Sequence, residues 1–175
     1  MAKQKLDCAG TNKGFTLVEM AITILIIVII AVTAKVKLGP FVQSIRMRST
    51  TDTIKAKIIA ARTRAIANPY VHCGVYFKMT SPQSVLLFFD NGAGAAANNN
   101  AYDAGADQIY IPAQAPPNKI IFVNPSSNYF TNDALVFRGD GSAKYGGQIE
   151  IQDGAGHKRT IDVLPSTGRV KVIVP

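Results

Sequence analysis

One acidic residue, Glu19, lies inside an otherwise uncharged apolar stretch that runs from residue 15 to residue 34. On membrane-insertion scales a carboxylate costs about 2.5–3.5 kcal/mol at the middle of a helix and less near an end. Glu19 is therefore either a charge tolerated close to an interface or one half of an ion pair inside an apolar phase. We expect the second, because an ion pair leaves a smaller penalty than an isolated buried charge.

The other residues with catalytic potential do not suggest an active site. His72 and His157 stand alone in the sequence, and the adjacent residues His72 and Cys73 are predicted to point to opposite faces of a strand. Asp140 and Asp153 occupy predicted turns, where aspartate favours the backbone geometry. We therefore predict a protein that is not an enzyme, with no catalytic residues, no metal and no cofactor.

The composition describes a basic protein with a strongly uneven distribution of apolar residues. The chain has 175 residues and a formal net charge of +8, which is compatible with an anionic partner. Its length suggests one domain plus an additional segment. Of the two cysteines, Cys8 and Cys73, one remains if residues 1–14 are removed, so that no intrachain disulfide can then form.

The apolar stretch itself allows three interpretations. As a helix, roughly 20 residues at 1.5 Å per residue cross the hydrocarbon core of a membrane, which predicts a transmembrane segment at 15–34. The stretch is longer than the apolar region of about 7–15 residues in a conventional signal peptide. The small residues that end at Ala34 nevertheless leave open a secreted protein cleaved at that point. A plain membrane anchor leaves Glu19 unexplained.

Residues 35–67 are predicted to continue the helix, which ends at Asn68-Pro69. A narrow apolar stripe at helical spacing is predicted to pack on a sheet: Met47, Ile54, Ile58, Ala61 and Ala65. We expect the stems of the flanking basic residues to lie along the rim of that stripe: Arg46, Lys57 and Arg64 on one side, and Arg48, Lys55 and Arg62 on the other. A second apolar face is predicted to pack on neighbouring helices in an assembly: Ile45, Ala56, Ile59 and Ala60.

From Val71 onward the periodicity changes to that of β-strands, with eight candidate segments separated by turn residues. Residues 91–108, between the second and third candidates, are rich in Gly, Ala and Asn, and we predict a mobile loop there. The predicted fold class is α+β. A long N-terminal helix at 15–67 is expected to pack on a C-terminal antiparallel β-sheet domain at 68–175.

The N-terminal motif carries a resemblance to a known family. The residues "KGFTLVE" at 13–19, followed by a long apolar helix, resemble the class III leader of type IV pilins and type II secretion pseudopilins. The resemblance implies a pilin-like fold and a leader at 1–14. It also implies cleavage between Gly14 and Phe15 by a prepilin peptidase, and methylation of the new amine of Phe15.

The same resemblance implies a role and partners. Glu19 of an incoming subunit would pair with the Phe15 amine of a neighbouring subunit in a filament. The partners would be other pilin or pseudopilin subunits, reached through the N-terminal helix, and an assembly platform in the bacterial inner membrane. The protein would be a single-pass inner-membrane protein with a periplasmic head.

Residues 135–172, "LVFRGDGSAKYGGQIEIQDGAGHKRTIDVLPSTGRVKV", resemble the GspH/FimT family of minor pilins and pseudopilins. That resemblance implies a minor subunit that acts in assembly or initiation of a pilus or a secretion pseudopilus. The lack of the C-terminal disulfide loop that major pilins usually carry also favours a minor subunit.

Some members of that family that serve in DNA uptake carry a G-R-x-R motif near the C-terminus. Here the corresponding positions are Gly168, Arg169, Val170 and Lys171. Residues two apart on a strand share a face, so Arg169 and Lys171 would project together. With Lys158 and Arg159 beside them they could bind phosphates without reading bases. A DNA receptor is therefore the alternative function, and an ordinary turn followed by an exposed strand is the simpler explanation of the motif.

Overall fold

The structure, a computed structural model, describes residues 14–92, 97–125 and 129–174. Within the helix, the side chains of residues 33–38 are outside that description. Most of the predicted leader, including Cys8, and part of the predicted loop at 91–108 therefore lie outside the described residues.

The described elements are one long helix followed by eight strands, as the sequence pattern predicted. The helix, α1, begins at Leu17 and ends at Ala67. The strands are β1 His72–Lys78, β2 Ser84–Asp90, β3 Gln108–Gln114, β4 Ile120–Val123, β5 Ala134–Phe137, β6 Gly147–Asp153, β7 Lys158–Val163 and β8 Val170–Ile173.

The strands form two antiparallel sheets. The first has the order β3-β2-β1-β5 and the second the order β4-β6-β7-β8. This arrangement confirms the predicted α+β, pilin-like fold, in which a long N-terminal helix precedes an antiparallel β domain.

The chain divides into two compact units, Met1–Phe41 and Val42–Pro175. The second half of α1 therefore belongs to the same unit as the strands. The division falls after Phe41, one residue beyond Pro40, whose ring nitrogen cannot donate the hydrogen bond that a helix needs at that position.

The predicted apolar stripe of α1 is the centre of the β-domain core. All five of its residues are buried, and Ile58, Ala61 and Ala65 have no exposed surface. They belong to one cluster with buried residues of both sheets, including Val75 of β1 and Ile149 of β6. The helix therefore supplies the apolar surface against which both sheets pack.

Two contacts connect the sheets directly. The ring of Phe77 in β1 lies edge-on to the ring of Phe122 in β4, with 6.2 Å between centroids. The side-chain amide of Gln83 donates to the carbonyl of Phe122 and accepts from its N–H, both at 2.8 Å. The side-chain amide of Gln83 thereby pairs with the backbone of β4 as a neighbouring strand would. It satisfies backbone groups at this sheet edge that would otherwise have no partner.

The described part of the loop predicted to be mobile is anchored. Tyr102 packs on the outer face of the first sheet, with ring centroids 4.7 Å from Tyr76 and 5.1 Å from Phe88. The buried carboxylate of Asp90 accepts from the N–H groups of Asn99 and Asn100 at 3.2 and 2.7 Å. The sequence pattern gave no sign of these contacts, because they depend on a strand end and a loop meeting in space.

One of the predicted rim residues is not at the rim. Lys57 is only 7% exposed, whereas we expected its ammonium to reach solvent beside the stripe. The helical spacing explains the difference, since Lys57 lies three residues after Ile54 and four before Ala61, on the core side of the helix. Of the predicted second apolar face, Ile45, Ala56 and Ile59 are exposed, whereas Ala60 is partly buried and packs on the core.

The prediction of a transmembrane segment at 15–34 is not supported by the described residues. Among them, no helix is both long and apolar enough to cross a membrane.

Two neighbouring isoleucines of α1 provide a matched test of this packing. We expect Ile58→Ala to lower the free energy of unfolding by about 2–5 kcal/mol, because it leaves a cavity among fully buried side chains. Ile59→Ala is the control, since Ile59 is 45% exposed and the same change there should stay within about 0.5 kcal/mol. Urea unfolding followed by circular dichroism measures both, and equal losses would contradict the burial of the stripe.

Candidate functional site

The N-terminal site begins with two residues that the fold leaves uncovered. Gly14 and Phe15 precede the helix, and Phe15 is 79% exposed. A Cβ built on Gly14 would meet no atom within 4 Å. The described residues therefore do not require glycine at position 14.

Glu19 lies in the first turn of α1, in a T-x-x-E capping-box sequence of which the structure shows one hydrogen bond. The hydroxyl oxygen of Thr16 accepts from the N–H of Glu19 at 3.2 Å. Thr16 is thus the N-cap, and Glu19 occupies the third helical position, where a carboxylate also interacts favourably with the helix dipole. The sequence analysis did not single out Thr16, although the T-x-x-E spacing at 16–19 was a signal that could have identified it.

The helix after Glu19 presents apolar side chains in all directions. Every large apolar side chain from Leu17 to Val32 has at least half of its surface exposed. A helix that is apolar all round is normally covered by protein or lipid. The carboxylate of Glu19 therefore lies at one end of an apolar surface whose exposure to water is unfavourable.

The cations predicted for the second site do not form one cluster. Strand pairing places Lys171 of β8 opposite Asp162 of β7. Lys158 lies four residues from Asp162, which is about 13 Å along the strand. Its ammonium already contacts the carboxylate of Glu150 at 2.8 Å. Arg159 points to the other face of the sheet, the face of the buried residues Ile161 and Val163.

Lys171 lies on the outward face of the second sheet, and Arg169, which directly precedes β8, is exposed as well. Two acids, Glu150 and Asp162, lie on the same face, because their strand partners Thr160 and Lys171 alternate with buried positions. The acids reduce the net positive potential of this surface, so it is less favourable to phosphates than the sequence suggested.

Gly168, the first residue of the motif, has a structural role. It adopts a φ of +60°, and a Cβ there would collide with the carbonyl oxygen of Gly141. That same carbonyl accepts from the guanidinium of Arg62 on α1 at 3.0 Å. The close approach of two turns beneath a helix side chain accounts for glycine at this position without reference to any ligand.

Both histidines face an aspartate, although the sequence suggested that they stand alone. The Nδ1 atom of His157 lies 2.9 Å from a carboxylate oxygen of Asp153. Burial opposes ionisation of Asp153, but hydrogen bonds from His157 and from backbone N–H groups hold its pKa below the ordinary value. His72 lies 3.9 Å from the buried Asp90, and burial lowers its pKa.

These pairs do not extend into a metal site or a catalytic constellation. In the part of the chain that the structure describes, no three His, Cys, Asp or Glu side chains are grouped so as to hold a metal ion. The one described cysteine, Cys73, is fully buried, and burial raises the pKa of its thiol to about 11. A buried, protonated thiol is a poor nucleophile, so Cys73 behaves as a core residue.

Comparison with protein families identifies the N-terminal region. Residues 10–34 match the family model of the prokaryotic N-terminal methylation motif. No curated protein and no solved structure matches the chain. The matched residues include Gly14, Phe15 and Glu19, and they begin within the segment that the sequence analysis assigned to the leader.

The motif supports processing by a prepilin peptidase and assembly with other pilin subunits in general terms, and it favours a structural subunit over an enzyme. Proteins with such a motif are generally membrane-anchored pilus subunits. An exposed Gly14-Phe15 segment, a capped acid in the first helical turn and an exposed apolar helix are consistent with that class. Residues 10–34 thus carry a prokaryotic N-terminal methylation motif, which supports a type IV pilin-like protein with a prepilin-type leader.

Proposed function

We propose that this protein is a minor pilin or pseudopilin that takes part in assembly or initiation of a type IV pilus or a type II secretion pseudopilus. The observation that carries the proposal is the apolar surface from Leu17 to Val32, which begins at a lone acid and which the described residues of the chain leave exposed. Association with equivalent helices would remove this surface from water. The second apolar face, around Ile45 and Ile59, would extend the contact.

In this proposal Gly14 and Phe15 flank the bond cut by the prepilin peptidase, and the amine of Phe15 becomes methylated. The mature subunit resides in the bacterial inner membrane with its β domain in the periplasm. The assembly platform then adds the subunit to the filament. The tail at 135–172, with its GspH/FimT-like spacing of strands and turns, favours a minor subunit over a major one.

Glu19 is available for the pairing that this model requires. The cap provided by Thr16 uses the backbone N–H of Glu19 and leaves its carboxylate oxygens for another partner. In a filament core that partner would be the terminal ammonium of Phe15 on a neighbouring subunit. Such a pair has directional hydrogen bonds, so its main contribution would be to set the register between subunits.

The mass of the mature protein distinguishes the processing alternatives. We expect a chain that begins at Phe15 and carries one added methyl group, because the leader is cut after Gly14. Intact-mass spectrometry of protein purified from its native membranes or filaments provides the measurement. A chain that begins at Lys35 would instead establish conventional secretion with cleavage after Ala34 and would overturn the proposal.

Substitutions in the capping box separate the role of the charge from the role of the helix cap. We expect Glu19→Gln to reduce incorporation into filaments about ten-fold or more, since glutamine preserves a capping box but cannot form an ion pair. Thr16→Val is the matched control, because it removes the cap and keeps the acid. Immunoblots of sheared filaments, with membrane levels as reference, measure incorporation.

If Glu19→Gln is incorporated normally while Thr16→Val is not, then the cap matters and the intersubunit ion pair is wrong. If both are incorporated at the level of the unmodified protein, neither feature of the first turn is needed for assembly.

A DNA receptor in the same filament is the second candidate, favoured by the exposure of Arg169 and Lys171, two cations that lie two residues apart. If it is correct, the double variant Arg169→Ala/Lys171→Ala should weaken retardation of duplex DNA about ten-fold, with a smaller dependence on salt. Arg48→Ala/Lys55→Ala removes the same charge from the helix and is the control. Equal loss in both variants would indicate non-specific attraction to a basic protein.

A further inference from the structure

A pocket lies in the β-domain unit beside the second half of α1. Its cavity volume is about 160 Å³. Its walls include residues of the helix, the start of β2, the segment after β3 and a residue of β4, and most of them are apolar: Ile54, Val85, Ala115, Pro116, Pro117 and Phe122. A dry apolar cavity of about 150 Å³ holds a benzene-sized molecule, so this pocket is large enough for a small ligand.

Lys57 gives the pocket a charged group. It lines the cavity, is only 7% exposed, and its ammonium nitrogen has no hydrogen-bond partner among the described residues. A buried ammonium without a partner costs several kcal/mol relative to water. Burial accordingly lowers the pKa of Lys57. A lysine that only covered apolar surface would extend its ammonium to solvent, as its neighbours on the helix do.

The other polar groups of the pocket wall do not replace a missing partner for Lys57. The hydroxyl of Thr50 donates to the carbonyl of Arg46, and the hydroxyl of Thr53 donates to the carbonyl of Ser49, both at 2.8 Å. The ammonium of Lys57 bonds to neither hydroxyl, nor to Ser49 or Gln114, the other polar residues of the wall. No carboxylate is among the lining residues. The pocket thus combines one unsatisfied cation with walls that favour an apolar body.

We infer that this pocket binds a small organic acid, whose carboxylate draws the buried ammonium of Lys57 toward the cavity and whose aryl or branched aliphatic body lies against Ile54, Val85 and Phe122. The carboxylate supplies the acceptor that Lys57 lacks, and burial makes a charge-assisted hydrogen bond stronger than it would be in water. The apolar body is removed from water at the same time. This inference does not depend on assembly into a filament.

Benzoate is a suitable probe because its ring matches the cavity volume. The full chain, in non-ionic detergent and with isotope-labelled methyl groups, is titrated with benzoate and followed by NMR. We expect saturable shifts of the Ile54 and Val85 methyl signals. Benzamide, which has nearly the same shape and no charge, should bind about ten-fold or more weakly, since a hydrogen bond to a charged group contributes about 1.5–3 kcal/mol.

Two variants complete the experiment. Lys57→Met keeps the length of the side chain without the charge and should weaken benzoate binding to the level of benzamide. Lys55→Met removes a charge two residues away, outside the pocket lining, and should leave benzoate binding unchanged. Benzoate that causes no methyl shifts, or that binds no more tightly than benzamide, overturns the inference. The comparison of the two ligands on the unmodified chain decides the question even if Lys57→Met does not fold.

Discussion

The burial of one narrow stripe of α1 organises the β domain. Ile54, Ile58 and Ala61 form a cluster with buried side chains of both sheets, so the two sheets share the helix as a common apolar surface. Burial of the stripe fixes the rotation of the helix about its own axis, so its other faces point away from the core.

A single continuous helix thus serves two different environments. Its second half has a sharply divided surface, with a buried stripe and an exposed basic and apolar remainder. Its first half has no such division, because apolar side chains surround it and the acid is confined to the first turn. The physical difference lies in what removes the apolar surface from water. In the second half it is the chain's own sheets, and in the proposed filament it would be other subunits.

A residue that suggests a function in a sequence motif can instead be needed for the local backbone conformation. Gly168 in the G-R-x-K motif is needed for the close approach of its turn to Gly141 beneath Arg62. Glu19 likewise has a local role in a capping box beside any role in assembly. Conversely, Lys57 belongs to no sequence motif and resembles the other basic residues of the helix. Only the structure shows that its ammonium is buried without a partner among the described residues. The chemical role of a basic residue therefore depends on where its charged group lies in the folded protein.

The sequence alone determined the features that depend on local order. The period of the apolar residues predicted one helix, eight strands and the buried stripe, and the class III motif predicted the family, because each depends on neighbours within a few residues. Only the tertiary structure decided which distant groups meet. It separated Lys158 and Arg159 from Arg169 and Lys171, anchored the loop through Tyr102 and left the ammonium of Lys57 without a partner among the described residues. Strand register and sheet packing set these contacts, and both are determined by the sum of many weak long-range interactions that no short segment encodes.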